Sequence, residues 1–276
     1  MKKLCWLVLL LLWSCTPQQG DLQAKAESME VYAEGLENIN NHKLAFIQHG
    51  LAANQQHQAV TAVKQALLDK GYVVVTFNSR FSLGKNNRQV ENARLTTFKE
   101  DLSDIIDWAA KQDFYSEPFA LAGHSLGGAS VIAYAAEYPQ KVRHLIGITP
   151  VVSGDLWEQA CFKNLPDFCR NWQTSGFYAY QTPDKKDEVR IAYKTLEEAK
   201  QFNAVSEAQK IKVPTLLIAA EKDEIIPPDD IKKLYDNLPF FKQMSVIADS
   251  GHNFVSSKNQ NDLATAVRLF LNQTNF

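Results

Sequence analysis

Short apolar runs alternate with longer amphipathic ones along most of this chain. Lys43 to His49, Tyr72 to Phe77, Pro118 to Gly123, Val142 to Thr149, Thr215 to Ala220 and Gln243 to Ala248 read as strands. Between them, Gln55 to Lys70 reads as a helix with Asn54 as its cap, Val60, Val63, Ala66 and Leu67 on one face and Gly71 ending it. Leu95 to Gln112 carries Phe98, Leu102, Ile105, Ile106 and Ala109 as an apolar stripe. Leu126 to Tyr138, Pro228 to Leu238 and Asp262 to Asn272 complete the helices. Strands that are apolar on consecutive positions are buried on both faces, so the pattern predicts a mostly parallel sheet with helices on either side. Only Glu30 to Ala33 offers strand material before the first of these runs, so the sheet is expected to be short at that edge.

Two segments break the rhythm. The stretch 151–208 is rich in aromatic residues, among them Trp157, Phe168, Trp172, Tyr178 and Tyr180, too many for a solvated linker. Within it, Gly176 to Tyr180 and Val189 to Tyr193 read as a hairpin around Pro183 to Lys186. The segment is expected to be a lid inserted into the domain 29–276. At the other end, Lys2 and Lys3 precede an apolar run of ten residues, Leu4 to Trp13. At ~1.5 Å per residue that run is too short for a ~30 Å hydrocarbon core and reads as an export signal, residues 1–14. Leu12-Trp13-Ser14-Cys15 resembles the lipobox of bacterial lipoproteins, with Trp13 larger than the usual residue. The resemblance implies cleavage before Cys15, lipidation of that cysteine, a polar tether over 15–28 and a membrane-anchored protein of the periplasm or outer membrane.

Composition narrows the function. The chain has 276 residues, 45% hydrophobic and 22% charged, enough for one large globular domain. A formal charge of −2, with no basic block beyond Lys185-Lys186, argues against nucleic acid as a partner. Cys5 leaves with the signal and Cys15 with the lipid, so Cys161 and Cys169 form an even pair in an exported protein. A disulfide is expected between them. Their spacing, with no histidine nearby, is poor for zinc, and no metal site is expected.

The chemistry is carried by Gly123-His124-Ser125-Leu126-Gly127-Gly128, which follows a strand and opens a helix. A sharp strand-to-helix turn projects a serine hydroxyl beyond the sheet and needs small neighbours two positions either side. Serine needs a base at neutral pH, and the base an orienting carboxylate. His252 lies in the loop after the last strand and Asp223 in the loop after the one before it, so all three fall at carboxyl ends of strands. Asp249 is the alternative acid, although it ends the strand leading to His252's own loop and points poorly at the imidazole. His49 and His124 read as structural hydrogen-bonders, and His42, His57 and His144 as ordinary surface or edge histidines.

From about residue 42 onward the chain resembles the α/β-hydrolase superfamily, in particular its small esterases and its prolyl-oligopeptidase-like and dienelactone-hydrolase-like members. Gly123 to Gly128 matches the nucleophile elbow, Asp223 with Pro227 the acid loop, Gly251-His252 with Phe254 the histidine loop, and His49-Gly50-Leu51 an early glycine loop. The resemblance implies an α/β-hydrolase fold and an oxyanion hole made by the backbone N–H groups of Leu51 and Leu126. Asn78-Ser79-Arg80-Phe81-Ser82-Leu83-Gly84 is similar to the family's R-G-x-G loop but has Phe81 where glycine is usual. The expected function is ester hydrolysis on small molecules through an acyl-enzyme, with no cofactor. Amide or peptide hydrolysis by the same triad is the alternative, and a non-catalytic binding lipoprotein a third.

Overall fold

The computed structural model describes residues 28–84, 87–182 and 186–274. The strands are β1 Tyr32–Glu34, β2 Leu44–Gln48, β3 Val73–Thr76, β4 Phe119–His124, β5 Val142–Ile148, β6 Phe177–Gln181, β7 Glu188–Ala192, β8 Thr215–Ala220 and β9 Lys242–Ile247. The helices are α1 Gln58–Leu68, α2 Leu95–Ala109, α3 Leu126–Glu137, α4 Gly154–Asn164, α5 Pro166–Ser175, α6 Lys194–Ala199, α7 Ala204–Glu207, α8 Pro228–Asn237 and α9 Ser257–Gln273. Seven strands form one sheet in the order β1-β3-β2-β4-β5-β8-β9. Six run parallel, and β1 pairs antiparallel with β3, closing the short N-terminal edge. This is the α/β-hydrolase fold with seven strands.

Alternate side chains of each strand face opposite layers. Ala45, Ile47, Val74, Ala120 and Ile218 pack with α1 and α9, where Leu67, Leu263, Val267 and Phe270 are fully buried. Phe46, Val75, Leu121, Leu145 and Leu217 face α2, α3 and α8. Burying each large apolar side chain contributes ~1.5–3 kcal/mol, so neither layer is dispensable.

The chain departs from the sequence reading at helix starts. α1 begins after His57, whose ring accepts the Ala59 N–H at 3.3 Å, while Asn54 accepts the Gln56 N–H in the turn before it. α9 starts at Ser257 because Ser256 Oγ accepts the Asn259 N–H at 3.1 Å. Its polar first turns carry no apolar stripe, so periodicity could not show them.

The 151–208 segment contains the expected hairpin, with Phe177 opposite Ala192, and four helices that the pattern did not predict. Ser153 caps α4 and Pro166 opens α5. Cys161 and Cys169 join these two helices by a disulfide, with Cα atoms 5.9 Å apart. Trp157, Trp172 and Val189 belong to the same core as α2 and α3. Glu198 of α6 accepts the N–H groups of Leu95 at 2.9 Å and Thr96 at 3.2 Å, filling donors that open α2. The segment is thus fastened to the body across one end of the sheet.

The expected signal 1–14, Cys15 and the tether up to residue 27 lie outside the described residues, as does the hairpin tip 183–185. Among the described residues no helix is long and apolar enough to cross a membrane.

Candidate active site

Ser125 joins β4 to α3 with φ 55° and ψ −117°, a left-handed φ that a residue with a Cβ adopts only under strain, ~1–3 kcal/mol. Neighbouring strand ends hold it there. Its N–H donates to the Ile148 carbonyl at 3.0 Å, and its own carbonyl accepts from Val151 at 3.0 Å and Ala129 at 3.2 Å. The glycines beside it are required by close approach. A Cβ on Gly127 would lie 2.2 Å from the His49 carbonyl oxygen, and one on Gly50 would lie 3.0 Å from Ser125 Cβ and 2.9 Å from His124 Nδ1. The 49–51 loop therefore presses directly on the elbow and brings Leu51 to the cavity in front of the serine. Leu126, the first residue of α3, has an N–H without an intrahelical acceptor.

His252 Nε2 lies 2.9 Å from Ser125 Oγ, and His252 Nδ1 lies 2.7 Å from Asp223 Oδ2. Asp223 Oδ1 accepts the N–H groups of Ile225 and Ile226, both at 2.9 Å. The carboxylate side chain is wholly buried and the imidazole 11% exposed. A carboxylate on Nδ1 leaves the Nε2 lone pair facing the hydroxyl, the tautomer a base requires. Asp249 takes no part. Its side chain is 74% exposed and pairs with Lys222 at 2.6 Å. Among the described residues, no cluster of His, Cys, Asp or Glu side chains could hold a metal ion.

Three further histidines surround the site, and one of them corrects the sequence reading. His49 is buried as expected, with Nε2 accepting the Ser79 N–H at 2.9 Å and Nδ1 2.7 Å from the Gly50 carbonyl. Burial lowers its pKa to about 4, against the opposing bond to Gly50. His124, also buried as expected, sets its Nε2 3.0 Å from the His252 carbonyl oxygen. Burial, then the neighbouring His252 and His57, holds its pKa well below the ordinary value. His57 is not an ordinary surface histidine. It lines the cavity and stacks on His124 with ring centroids 4.7 Å apart. Burial, then the nearby His252, lowers its pKa to about 4. Nothing in its spacing marks it; only the turn that follows the glycine loop brings it there. His144 is not an edge residue either, being buried between Tyr72 and the Thr274 carbonyl, remote from the site.

A cavity of about 420 Å³ opens in front of Ser125, walled by Leu51, His57, Trp157, Tyr178, Ile191 and Ile225 among others. Leu51, Trp157, Tyr178 and Ile225 also wall a second, adjoining space of about 270 Å³, lined further by Cys161, Leu165, Phe168 and Trp172. The 151–208 segment supplies most of this inner wall. Other clefts, beside Arg80 and Lys99, contain none of the three hydrogen-bonded residues. Arg80 itself pairs with Asp101 and Glu100 on α2. Its loop acts on the site only indirectly, since Ser79 holds His49 and Asn78 Oδ1 accepts the Gln55 N–H at 2.9 Å.

Residues 40–259 match the family described as Hydrolase_4, serine aminopeptidase S33. The chain belongs to this family. It is a serine hydrolase of the α/β-hydrolase fold. Among curated proteins it is similar to an uncharacterized 31.7 kDa Escherichia coli protein from the traX-finO intergenic region, 24% identical over 71% of this chain and 77% of that one. It is also similar to the mitochondrial palmitoyl-protein thioesterase ABHD10 of Bos taurus, 25% identical over 64% of this chain and 56% of that protein. Among solved structures, Est1E from Butyrivibrio proteoclasticus with bound ferulic acid superposes with a TM-score of 0.68 at 20% identity, covering 88% of this chain and 94% of that one. Mouse α/β hydrolase domain-containing protein 10 also superposes, with a TM-score of 0.62 at 20% identity, over 84% of this chain and 90% of that one. At these identities the superpositions speak for the fold alone.

Proposed function

We propose that this serine hydrolase cleaves small carboxylic esters with an apolar alkyl or aryl acyl group, through an acyl-enzyme on Ser125. The observation that carries the reading is the apolar slot running from Ser125 between Trp157 and Tyr178 to Phe168 and Trp172. His252 Nε2, 2.9 Å from Ser125 Oγ, takes its proton as the oxygen attacks the ester carbonyl. Asp223 stabilises the resulting imidazolium across 2.7 Å. The N–H groups of Leu51 and Leu126 receive the oxyanion. The imidazolium then protonates the leaving alcohol. In the second half, His252 deprotonates a water that attacks the acyl carbon, releasing the acid and returning the proton to Ser125.

Peptide cleavage is the second reading, favoured by the aminopeptidase in the family's description. An aminopeptidase must hold a substrate ammonium, and buried charge needs an opposite partner. Among the described residues no Asp or Glu lines the cavity at Ser125, which favours the neutral ester. Rates on matched p-nitrophenyl esters, an acyl thioester and aminoacyl anilides test the choice. The ester reading fails if the anilides turn over faster than every ester and thioester.

The same reading keeps Cys15 as a lipid-bearing N-terminus, supported by the apolar run before it. Cys15→Ser is expected to move the protein from the membrane to the soluble fraction. An unchanged membrane fraction would count against the anchor.

A further inference from the structure

We infer that His57 and Gln58, at the start of α1, are positioning residues that hold the His252 loop at its working distance from Ser125. The inference rests on the proposed role of His252 as base. The loop is a tight turn that closes with the Phe254 N–H on the Gly251 carbonyl at 3.2 Å, and Phe254 has φ 52°. A left-handed φ in a bulky residue persists only where the surroundings hold it. The holding is done carbonyl by carbonyl. His124 Nε2 meets the carbonyl of His252 at 3.0 Å, and Gln58 Nε2 donates to that of Asn253 at 2.8 Å. Gln260 Nε2 donates to Phe254 and Val255 at 3.2 and 3.0 Å.

His57 ties these supports to the other side of the cavity. Its ring lies nearly parallel to His124, at 19°, while His124 in turn sits 4.9 Å from the His252 ring. The His57 backbone N–H donates to the Asn54 carbonyl at 3.0 Å, which closes the loop that begins at Gly50 and Leu51. One helix start therefore fixes the loop proposed to bear the oxyanion donor and the loop bearing the base in a single frame. Neither His57 nor Gln58 hydrogen-bonds the Ser125 hydroxyl, so their effect passes through the position of the imidazole.

The test reads the rate at which a fluorophosphonate probe labels the full-length enzyme, which requires an activated serine but no particular ester. His57→Phe keeps an aromatic ring and loses the acceptor of the Ala59 N–H. Gln58→Met keeps the length and loses the donor, whereas Gln58→Lys returns a donor to the Asn253 carbonyl. Displacement of a reacting group by a fraction of an ångström predicts labelling about tenfold slower in His57→Phe and Gln58→Met, with Tm and ester KM nearly unchanged in Gln58→Met. Gln58→Lys is expected to recover most of the rate. Wild-type labelling in His57→Phe and Gln58→Met overturns the inference. So does a rate loss that tracks Tm in all variants with no recovery in Gln58→Lys. A wild-type enzyme that takes no label overturns the reading of Ser125 itself, and the clamp with it.

Discussion

Replacing Asp223 by asparagine tests the proposed mechanism most sharply, because the structure dictates how the new amide must lie. Oδ1 of Asp223 accepts two backbone N–H groups, from Ile225 and Ile226, at 2.9 Å each. An amide nitrogen turned toward them would set donor against donor twice, so the asparagine keeps its oxygen there and points NH₂ at His252. The imidazole must then accept at Nδ1 and carry its proton on Nε2, 2.9 Å from Ser125 Oγ. A protonated Nε2 cannot take the hydroxyl proton. The same tautomer error in a serine protease triad lowers kcat about 10⁴-fold, equivalent to about 5.5 kcal/mol of transition-state stabilisation. Asp223→Asn is therefore expected to lose about 10⁴ in kcat on p-nitrophenyl butyrate, with KM within a few-fold, since the carboxylate is buried away from the apolar slot. Asp249→Asn is the control. Its exposed pairing with Lys222 predicts a change within about twofold. If Asp223→Asn kept a tenth of the wild-type rate, or if Asp249→Asn were the more damaged variant, the assignment of the acid would be wrong.

Other consequences are independent of that one. Gly127→Ala places a Cβ 2.2 Å from the His49 carbonyl oxygen, so denaturant unfolding should show a loss of at least about 3 kcal/mol or no soluble protein; a native-like midpoint refutes the close approach. Burial, opposed by the bond to the Thr274 carbonyl, lowers His144 to about 4, so between pH 6.5 and 4 the unfolded chain binds a proton that the folded chain does not. The stability from this group is present above pH 6.5 and lost as pH falls; urea melts at pH 7 and pH 5 should show His144→Gln losing up to about 2 kcal/mol less than wild type, with esterase activity at pH 7 retained. Equal losses would sink the assignment. The Cys161–Cys169 bridge closes a short loop worth about 2.5 kcal/mol in the chain-entropy view. Cys161→Ala/Cys169→Ala should raise KM for aryl and longer acyl esters while sparing the acetyl ester, measured side by side.

Much of the sheet was legible because strands buried on both faces must be apolar on consecutive positions, as Val73 to Thr76 and Leu216 to Ala220 nearly are. The elbow was legible for a related reason. A serine at φ 55° with a loop pressed on its back needs glycine at fixed offsets, and those glycines stand beside Ser125 in the chain. The order of Ser125, Asp223 and His252 followed from strand ends, which sequence can count. Periodicity failed where the determinants are polar or distant. α9 starts on a serine cap with no apolar stripe behind it, and α4 and α5 are held by a disulfide and by contacts with Ile191 and Glu224.

The sequence by itself thus singled out the proposed nucleophile, its two proposed partners and the layered sheet that presents them, since each depends on local backbone geometry or strand order. Only the tertiary structure showed which of Asp223 and Asp249 meets the imidazole. That choice turns on which carboxylate is buried at 2.7 Å from an imidazole and which faces solvent beside a lysine. Only the tertiary structure, too, turned His57 from a surface residue into part of the site and joined Trp157, Tyr178 and Phe168 into a slot leading away from Ser125. Such contacts join residues far apart along the chain, and no local pattern encodes which of them will meet.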